Sequence, residues 1–293
     1  MDFSKLTNKI FFDNKFIAAK NANIHVLNHS LHFATAVFEG IRVYNGKSLF
    51  LDDHVSRLFN SSKLMRLNIN ISKNRILAVI KKLIKLNKIE QGYIRPIIFR
   101  SSHSMSPETS NCKTHVVIAC WQWGNLFKSD GISLDIAKYP KLNKKIYPIQ
   151  AKSSGSYQTS VIARVDSAKK KYDDSLMLDT MGNVAESSAC NIFWIKKNKV
   201  YTTNEHSILN GITRQAIIKL CKDSKISIKI GNYKLEKILK ADSVFLTGTA
   251  AEIQPVKKIL YKNFKIDHDL IELLKDKYNS LKLNPPGKVS KIK

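Results

Sequence analysis

Ala151-Lys152-Ser153-Ser154-Gly155-Ser156-Tyr157 sets one lysine among small residues. Directly after it, Val161, Ile162, Val165 and Ala168 fall at helical spacings. Lys152 therefore lies on a turn that feeds a helix, with no bulky neighbour before Tyr157. That placement suits an amine that must approach another molecule closely. A lysine that attacks a carbonyl needs a partly desolvated setting, because only the neutral amine is nucleophilic. In a lysine-rich chain the ordinary alternative is a solvated surface charge, so the weight rests on the residues around it and beyond.

The chain has 293 residues, 43% of them apolar and 25% charged, enough for a sizeable core in one large or two ordinary domains. No apolar run reaches the roughly 18 residues of a membrane span, and Met1 to Lys9 lacks the apolar centre of a signal peptide. Cys112, Cys120, Cys190 and Cys221 are scattered, with no C-x-x-C pair and no zinc-like spacing. A reducing, cytoplasmic setting and no metal are expected. The net charge of +26 raises nucleic acid as a partner. The excess is nearly all lysine spread along the chain, and Lys81-Lys82 and Lys169-Lys170-Lys171 fall on helices with apolar opposite faces. Solvated faces explain them, and Lys288 to Lys293 reads as a frayed tail. Neither nucleic acid nor membrane is expected as a partner.

In order, residues 10–18 read as a hairpin turning at Asp13-Asn14-Lys15, and His25 to Leu27 as a short strand. Asn45-Gly46 signals a type I′ turn. Asp53 is expected to cap a helix carrying Val55, Leu58 and Phe59, and Ser72 a second one carrying Ile76, Ile80, Leu83 and Ile84. Tyr93 to Phe99 is strand-like, with Pro96 arguing for an edge or a bulge. A polar loop, 101–113, precedes an apolar strand, His115 to Trp121. Patterning lapses around Trp123-Gly124-Asn125 and resumes with strands at Ile132 to Ala137 and Leu176 to Leu178. Glu186 follows the turn Met181-Gly182-Asn183. Ile192 to Ile195 and Val200 to Thr202 form a hairpin. Gly211 to Arg214 opens a helix with Ala216, Ile217, Leu220 and Cys221 inward. Ile226 to Ile230 and Val244 to Leu246 are strands, and Thr247 to Ala251 is a small-residue turn. The fold class is α/β (α+β) in two domains: a small one over 1–121, a linker over 122–131 and a larger one over 132–293.

Lys152, Glu186, the Gly211 to Arg214 helix start and the Thr247 to Ala251 turn need one explanation. A helix start rich in small and hydroxyl residues offers free N–H groups and a positive dipole end to a phosphate. Taken singly, each feature is ordinary. Together with Phe38-Glu39-Gly40-Ile41-Arg42, Tyr93-Ile94-Arg95-Pro96 and Gly248-Thr249-Ala250-Ala251-Glu252-Ile253, in that order, the chain resembles the branched-chain amino-acid aminotransferases. These are pyridoxal-phosphate enzymes of fold type IV, and the resemblance covers nearly the full length.

The resemblance implies pyridoxal 5′-phosphate in a cleft between the two domains. It implies that Lys152 holds the cofactor covalently and then moves a proton as a general acid–base. Glu186 would face the pyridine nitrogen and favour its protonated form, the electron sink. Tyr157 would hydrogen-bond the ring oxygen. Arg57, Ile212, Thr213 and Thr249 would hold the phosphate. Thr249, Ala250 and Tyr93 would hold the substrate α-carboxylate, and Arg95 the distal carboxylate of glutamate or 2-oxoglutarate. Phe38 and Trp123 would wall the aliphatic pocket. The substrates would be branched-chain L-amino acids and 2-oxo acids, in a ping-pong cycle.

A homodimer is implied as the minimum unit, with a hexamer as a larger assembly, because the loop at Ser104-Met105-Ser106 matches one that completes a partner's pocket. Departures from the usual pattern are Phe33 and Leu126 for tyrosines, Ser153-Ser154-Gly155 after the lysine, and Cys190 for a glutamate. Within the same fold, a D-amino-acid aminotransferase or aminodeoxychorismate lyase is the alternative. A basic nucleic-acid-binding protein is the remote one.

Overall fold

The computed structural model describes residues 6, 8–124 and 126–292; of the stretch expected to link two domains, Asn125 lies outside them. Contacts divide the chain into two units: residues 1–124, 151–155 and 282–291 form one, and 125–150, 156–281 and 292–293 the other. The Lys152 segment thus belongs with the first unit although it lies in the second half of the sequence.

The first unit runs β1 (Lys9–Phe12), β2 (Lys15–Ala18), α1 (His29–Phe33), β3 (Ala36–Phe38), β4 (Ile41–Tyr44), β5 (Lys47–Ser48), α2 (Leu51–Leu64), α3 (Lys73–Leu86), β6 (Gly92–Arg100) and β7 (Thr114–Gln122). Its sheet has the order β2-β1-β7-β6-β4-β5, with β3 also paired to β6. The turn pairs Asp13-Asn14 and Asn45-Gly46 both adopt positive φ, as the twist of tight hairpins requires. Ser72 caps α3 by accepting the Arg75 N–H at 3.2 Å. Val55, Leu58, Ile76, Ile80 and Leu83 from the two helices share one buried cluster with Ile41, Val43, Ile94 and Ile118 from the sheet. Each such side chain contributes about 1.5–3 kcal/mol through burial.

The second unit runs β8 (Ile132–Ile136), α4 (Gln158–Lys169), β9 (Asp174–Leu178), β10 (Val184–Ser187), β11 (Asn191–Lys196), β12 (Lys199–Thr203), α5 (Ile212–Asp223), β13 (Ile228–Gly231), α6 (Leu235–Leu239), β14 (Ser243–Gly248), β15 (Glu252–Ile259), β16 (Lys262–Asn263) and α7 (Asp269–Leu283). The sheet order is β10-β9-β8-β15-β14-β11-β12-β13, with β16 on β15. β8 pairs in parallel with both β9 and β15. No helix among the described residues is long and apolar enough to cross a membrane.

Several expectations are corrected. His25 to Leu27 is coil and turn, not strand. Phe50, not Asp53, is the N-cap of α2; Asp53 sits in the first turn and accepts the Val289 N–H at 2.7 Å. That contact, with Phe50 N–H donating to Pro286 C=O at 2.8 Å, ties down the basic C-terminal segment that reads as frayed. Pro96 lies in the interior strand β6, not at an edge. Its carbonyl accepts from Glu39 N–H, so its ring faces the break between β3 and β4, where a missing donor costs no ladder bond. On α4 the expected apolar stripe is outward: Val161, Ile162 and Val165 are exposed, while Ser160, Ala163 and Ser167 are buried. Close packing against the sheet selects the small residues for the inner face.

Candidate active site

In the first unit the backbone around Lys152 is held from two sides. Phe38 N–H donates to Lys152 C=O at 3.0 Å, and Lys152 N–H donates to Ser61 Oγ on α2 at 3.0 Å. Val37 and Ser153 form an antiparallel bridge. The small Ser153-Ser154-Gly155 sequence lets the chain lie this close to β3, with Ser154 Oγ donating to Ala34 C=O at 2.7 Å. Lys152 Nζ stands 4.9 Å from the Phe38 ring centroid. Burial, then the Arg57 charge, lowers its pKa from 10.5 to about 8; Glu39 and Tyr93 oppose the shift and Arg95 adds to it. About a tenth of this amine is therefore neutral near pH 7, against well under a thousandth for an ordinary lysine.

A charge that acts on Lys152 comes from a residue with no role expected from its sequence context. Glu39 is fully buried. Arg57 Nε donates to its Oε1 at 2.6 Å and Arg57 Nη2 to its Oε2 at 2.9 Å. His54 Nδ1, which must carry the proton because a carboxylate only accepts, donates to Oε2 at 2.7 Å. Burial opposes the charge, but Arg57 and His54 outweigh it and hold the Glu39 carboxyl well below the ordinary carboxylate range. Burial in turn pushes the His54 pKa down. Arg57, expected at a phosphate, is thus aimed by a fork of charge-assisted bonds.

Arg95 is the complementary case. Its guanidinium lies 4.8 Å from the Phe38 ring and 5.4 Å from that of Tyr93, and its Nε is buried without a hydrogen-bond partner among the described residues. Tyr93 packs on Trp121 at 5.4 Å and edge-on to Trp123 at 4.6 Å. Its hydroxyl occupies the space a side chain at Gly40 would take: a Cβ there would fall 1.7 Å from Oη. Gly40→Ala is therefore expected to drive the Tyr93 hydroxyl off its position while leaving the chain folded. If this hydroxyl holds a carboxylate, the role the resemblance implies, kcat/KM should fall by about tenfold or more, the scale of one lost hydrogen bond to a charged group. Unchanged steady-state constants would show that this hydroxyl touches no substrate.

In the second unit α5 begins at Ile212, with Gly211 as N-cap. Gly211 is required by close approach, since a Cβ would sit 2.1 Å from Asn191 Oδ1. Ile212 and Thr213 are buried at this helix start. Asn191 pairs across the sheet with Thr247. The Thr247 hydroxyl is buried with no partner among the described residues. An unpartnered buried hydroxyl costs about 1–3 kcal/mol, and it is free to donate to an anion. Thr249 and Ala250 follow on the turn out of β14 and are half-buried. Cys190, the departure from the usual glutamate, has its Sγ 3.0 Å from where a Gly248 Cβ would be.

Glu186 is on β10 and only 5% exposed, so it is no solvated loop acid. Its Oε2 accepts from Asn191 Nδ2 at 2.9 Å, and its Oε1 pairs with Lys141 Nζ at 3.0 Å. Lys141 also stands 5.8 Å from the ring of Tyr157, the N-cap residue of α4. One unit therefore gathers Lys152, Phe38, Arg57, Tyr93, Arg95 and Trp123, and the other Tyr157, Glu186, Ile212, Thr213, Thr249 and Ala250. Glu39, His54 and Lys141 are added to them. A lone acid in the apolar run Val37 to Ile41 was a usable signal for Glu39; one lysine among many gave none for Lys141. Of the other departures, Phe33 and Leu126 are exposed, and Ser106 C=O accepts from His29 Nε2 at 3.0 Å.

Over residues 36–259 the chain matches the family described as amino-transferase class IV. It is 34% identical over 275 residues to the probable branched-chain-amino-acid aminotransferase of Rickettsia bellii, covering 93% of this chain and 95% of that one. Among solved structures it is similar to the branched-chain aminotransferase of Thermoproteus uzoniensis with norvaline, at TM-score 0.91 and 28% identity over 95% of each chain. It is also similar to a T.th. branched-chain amino acid aminotransferase complexed with N-(5′-phosphopyridoxyl)-L-glutamate, at TM-score 0.90 and 29% identity over 96% of this chain and 95% of that one. A lysine of lowered pKa on an aromatic wall, a buried carboxylate and a glycine-capped helix start with a buried threonine agree with these matches: the chain belongs to the class IV aminotransferases, in the branched-chain-amino-acid aminotransferase group.

Proposed function

We propose that this protein moves the α-amino group between L-leucine, L-isoleucine or L-valine and 2-oxoglutarate, with pyridoxal 5′-phosphate as its resident cofactor. One observation carries the reading. Lys152 Nζ and the Arg95 guanidinium lie on the same Phe38 ring, at 4.9 and 4.8 Å. A nucleophilic amine, an apolar wall and a cation lacking a carboxylate partner among the described residues share one place. An aliphatic side chain would pack on the ring, and the distal carboxylate of an acidic substrate would take the arginine. Norvaline and phosphopyridoxyl-glutamate, bound by the two relatives, are one ligand of each kind. The cofactor fits the residues present: the Thr247 hydroxyl, partnerless among the described residues, suits a phosphate, and the buried Glu186 carboxylate suits a ring cation.

When bound, the cofactor supplies an aldehyde that accepts the amino group and a ring that withdraws electrons from the substrate Cα. Under this reading Lys152 would be the residue that holds the cofactor, its neutral amine being the form able to do so, and the same amine would carry a proton to or from the substrate Cα. Glu186 would favour a protonated ring nitrogen, and Tyr157 would hydrogen-bond the ring oxygen. Arg57, the amides of Ile212 and Thr213, and Thr249 hold the phosphate. Tyr93, Thr249 and Ala250 orient the α-carboxylate, while Phe38 and Trp123 exclude water from the side chain. The smallest working unit is a homodimer in which the Ser104 to Ser106 loop serves the partner, and a hexamer is the larger assembly this allows. The four cysteines are buried and form no disulfide, in keeping with a reducing, cytoplasmic setting.

Incubation with L-leucine and 2-oxoglutarate should yield glutamate and the branched 2-oxo acid. Turnover of D-alanine or aminodeoxychorismate with no glutamate from L-leucine would replace this reading by the alternative within the fold. Salt-sensitive binding to DNA or RNA without any cofactor spectrum would replace it by the remote one.

A further inference from the structure

The carboxylate of Glu186 has both oxygens engaged by its own unit. Asn191 Nδ2 donates to Oε2 at 2.9 Å and also to Leu209 C=O at 3.0 Å, so the amide is fixed from both ends. Lys141 Nζ pairs with Oε1 at 3.0 Å and donates to Ser160 Oγ at 3.1 Å. Lys141 is held in the backbone too, its N–H donating to Leu178 C=O at 2.8 Å. Only 9% of Lys141 and 5% of Glu186 are exposed. A buried ion pair of this kind costs two desolvations and is weak evidence for stability by itself. A positioned cation behind a carboxylate has a clearer consequence for whatever the carboxylate serves.

We propose that Lys141 is a positioning residue that fixes the Glu186 carboxylate and competes with the cofactor's ring nitrogen for its negative charge, so that it sets how tightly that nitrogen keeps its proton. The inference rests on the cofactor reading above. A carboxylate alone would raise the proton affinity of a facing pyridine strongly, because the opposite charges attract in a poorly solvated setting. A second cation on the other oxygen takes back part of that attraction. The ring nitrogen then stays protonated near neutral pH yet can release the proton at moderately higher pH. The other charged or titratable groups facing the pair are Tyr157 at the start of α4, Asp174 on β9 and Arg214 on α5.

The test uses the full chain with pyridoxamine 5′-phosphate labelled with nitrogen-15 in the ring, and reads ring-nitrogen protonation against pH by NMR. Lys141→Gln removes the charge but keeps a donor for Glu186, and Lys141→Arg keeps both. Lys141→Gln should raise the protonation midpoint by about one pH unit or more, the scale of a charge at this range. Lys141→Arg should return it toward the wild-type value. A midpoint unchanged in Lys141→Gln, with the ligand bound, overturns the proposal alone. A Lys141→Gln chain that does not fold while Lys141→Arg has a shifted midpoint also overturns it, since the charge would then be structural. Failure of the wild type to bind pyridoxamine 5′-phosphate at all removes the cofactor reading itself, and this proposal with it.

Discussion

Lys152→Met will remove turnover while making the cofactor-free protein more stable at neutral pH. Both halves of the result follow from one environment. The amine is the proposed covalent anchor and proton carrier, and loss of a positioned acid–base alone costs about 10²–10⁴ in rate. Losing the anchor as well carries the total beyond that range. The same amine is lowered from 10.5 to about 8 by burial and by Arg57, with Arg95 adding to the effect. The folded state thus resists a proton that the unfolded chain accepts. Below about pH 8 the full penalty is present, and it fades as pH rises through 10.5, where neither state is charged. At 1.36 kcal/mol per pKa unit, the change from 10.5 to about 8 corresponds to at most about 3.4 kcal/mol, and partial exposure of the side chain reduces it to roughly 1–3 kcal/mol. Methionine keeps most of the stem on Phe38 and discards the charge. Denaturant melts of the cofactor-free variant at about pH 7 and about pH 11 measure this directly: a gain at the lower pH that disappears at the higher is the expected pattern. In the wild type, the rate of covalent capture of added pyridoxal phosphate should rise with pH and level off above about pH 8. Borohydride reduction followed by peptide mapping should place the label on Lys152; a label elsewhere, or near-normal turnover in Lys152→Met, would assign the wrong residue.

The sequence made some of this arrangement legible because local chemistry and tertiary role coincide. Asn45-Gly46, Ser72 and Gly211 each do what their residue type does anywhere, and the structure uses them so. Ile271, Leu274 and Tyr278 carry the helical spacing of the inner face of α7. Pro96 misled because the rule against proline in interior strands assumes an uninterrupted neighbour, and here the neighbour changes from β3 to β4. The α4 stripe misled for the opposite reason. Periodicity gives the helix but not which face is inward, and a helix pressed close to a sheet turns Ser160, Ala163 and Ser167 in. Lys141 was illegible because nothing in Pro140-Lys141-Leu142 distinguishes it from the other lysines; only the fold brings it to Glu186.

Glu39→Gln is the variant expected to damage both stability and cofactor capture. The carboxylate accepts from Arg57 Nε, Arg57 Nη2 and His54 Nδ1, and Gly40 N–H lies 3.2 Å from Oε2. A carboxamide offers one accepting oxygen, and its NH₂ can be accommodated only by His54 changing tautomer, since Arg57 and the Gly40 N–H have nothing to accept with. It also leaves a partly buried arginine without the counter-charge it was folded against. Breaking a buried pair from one side costs about 3–5 kcal/mol, a large share of a typical total of roughly 5–15 kcal/mol. At about 2–4 °C per kcal/mol for chains of this class, the melting temperature should drop by roughly 10 °C. The acid limb changes as well. Because the folded carboxyl lies below its ordinary range, its contribution is complete above about pH 4.5 and is lost as pH falls beneath that; in Glu39→Gln that part of the stability–pH curve should be flat. The functional loss has a separate cause. Arg57 loses the fork that aims it, so pyridoxamine 5′-phosphate should bind at least about tenfold more weakly, the scale of one charge-assisted contact. Glu39 is also a charge that raises the Lys152 pKa, so the midpoint for covalent capture should move to lower pH in the variant. Cofactor affinity and capture midpoint both equal to wild type, beside the expected loss of stability, would confine Glu39 to holding the fold and separate Arg57 from the phosphate.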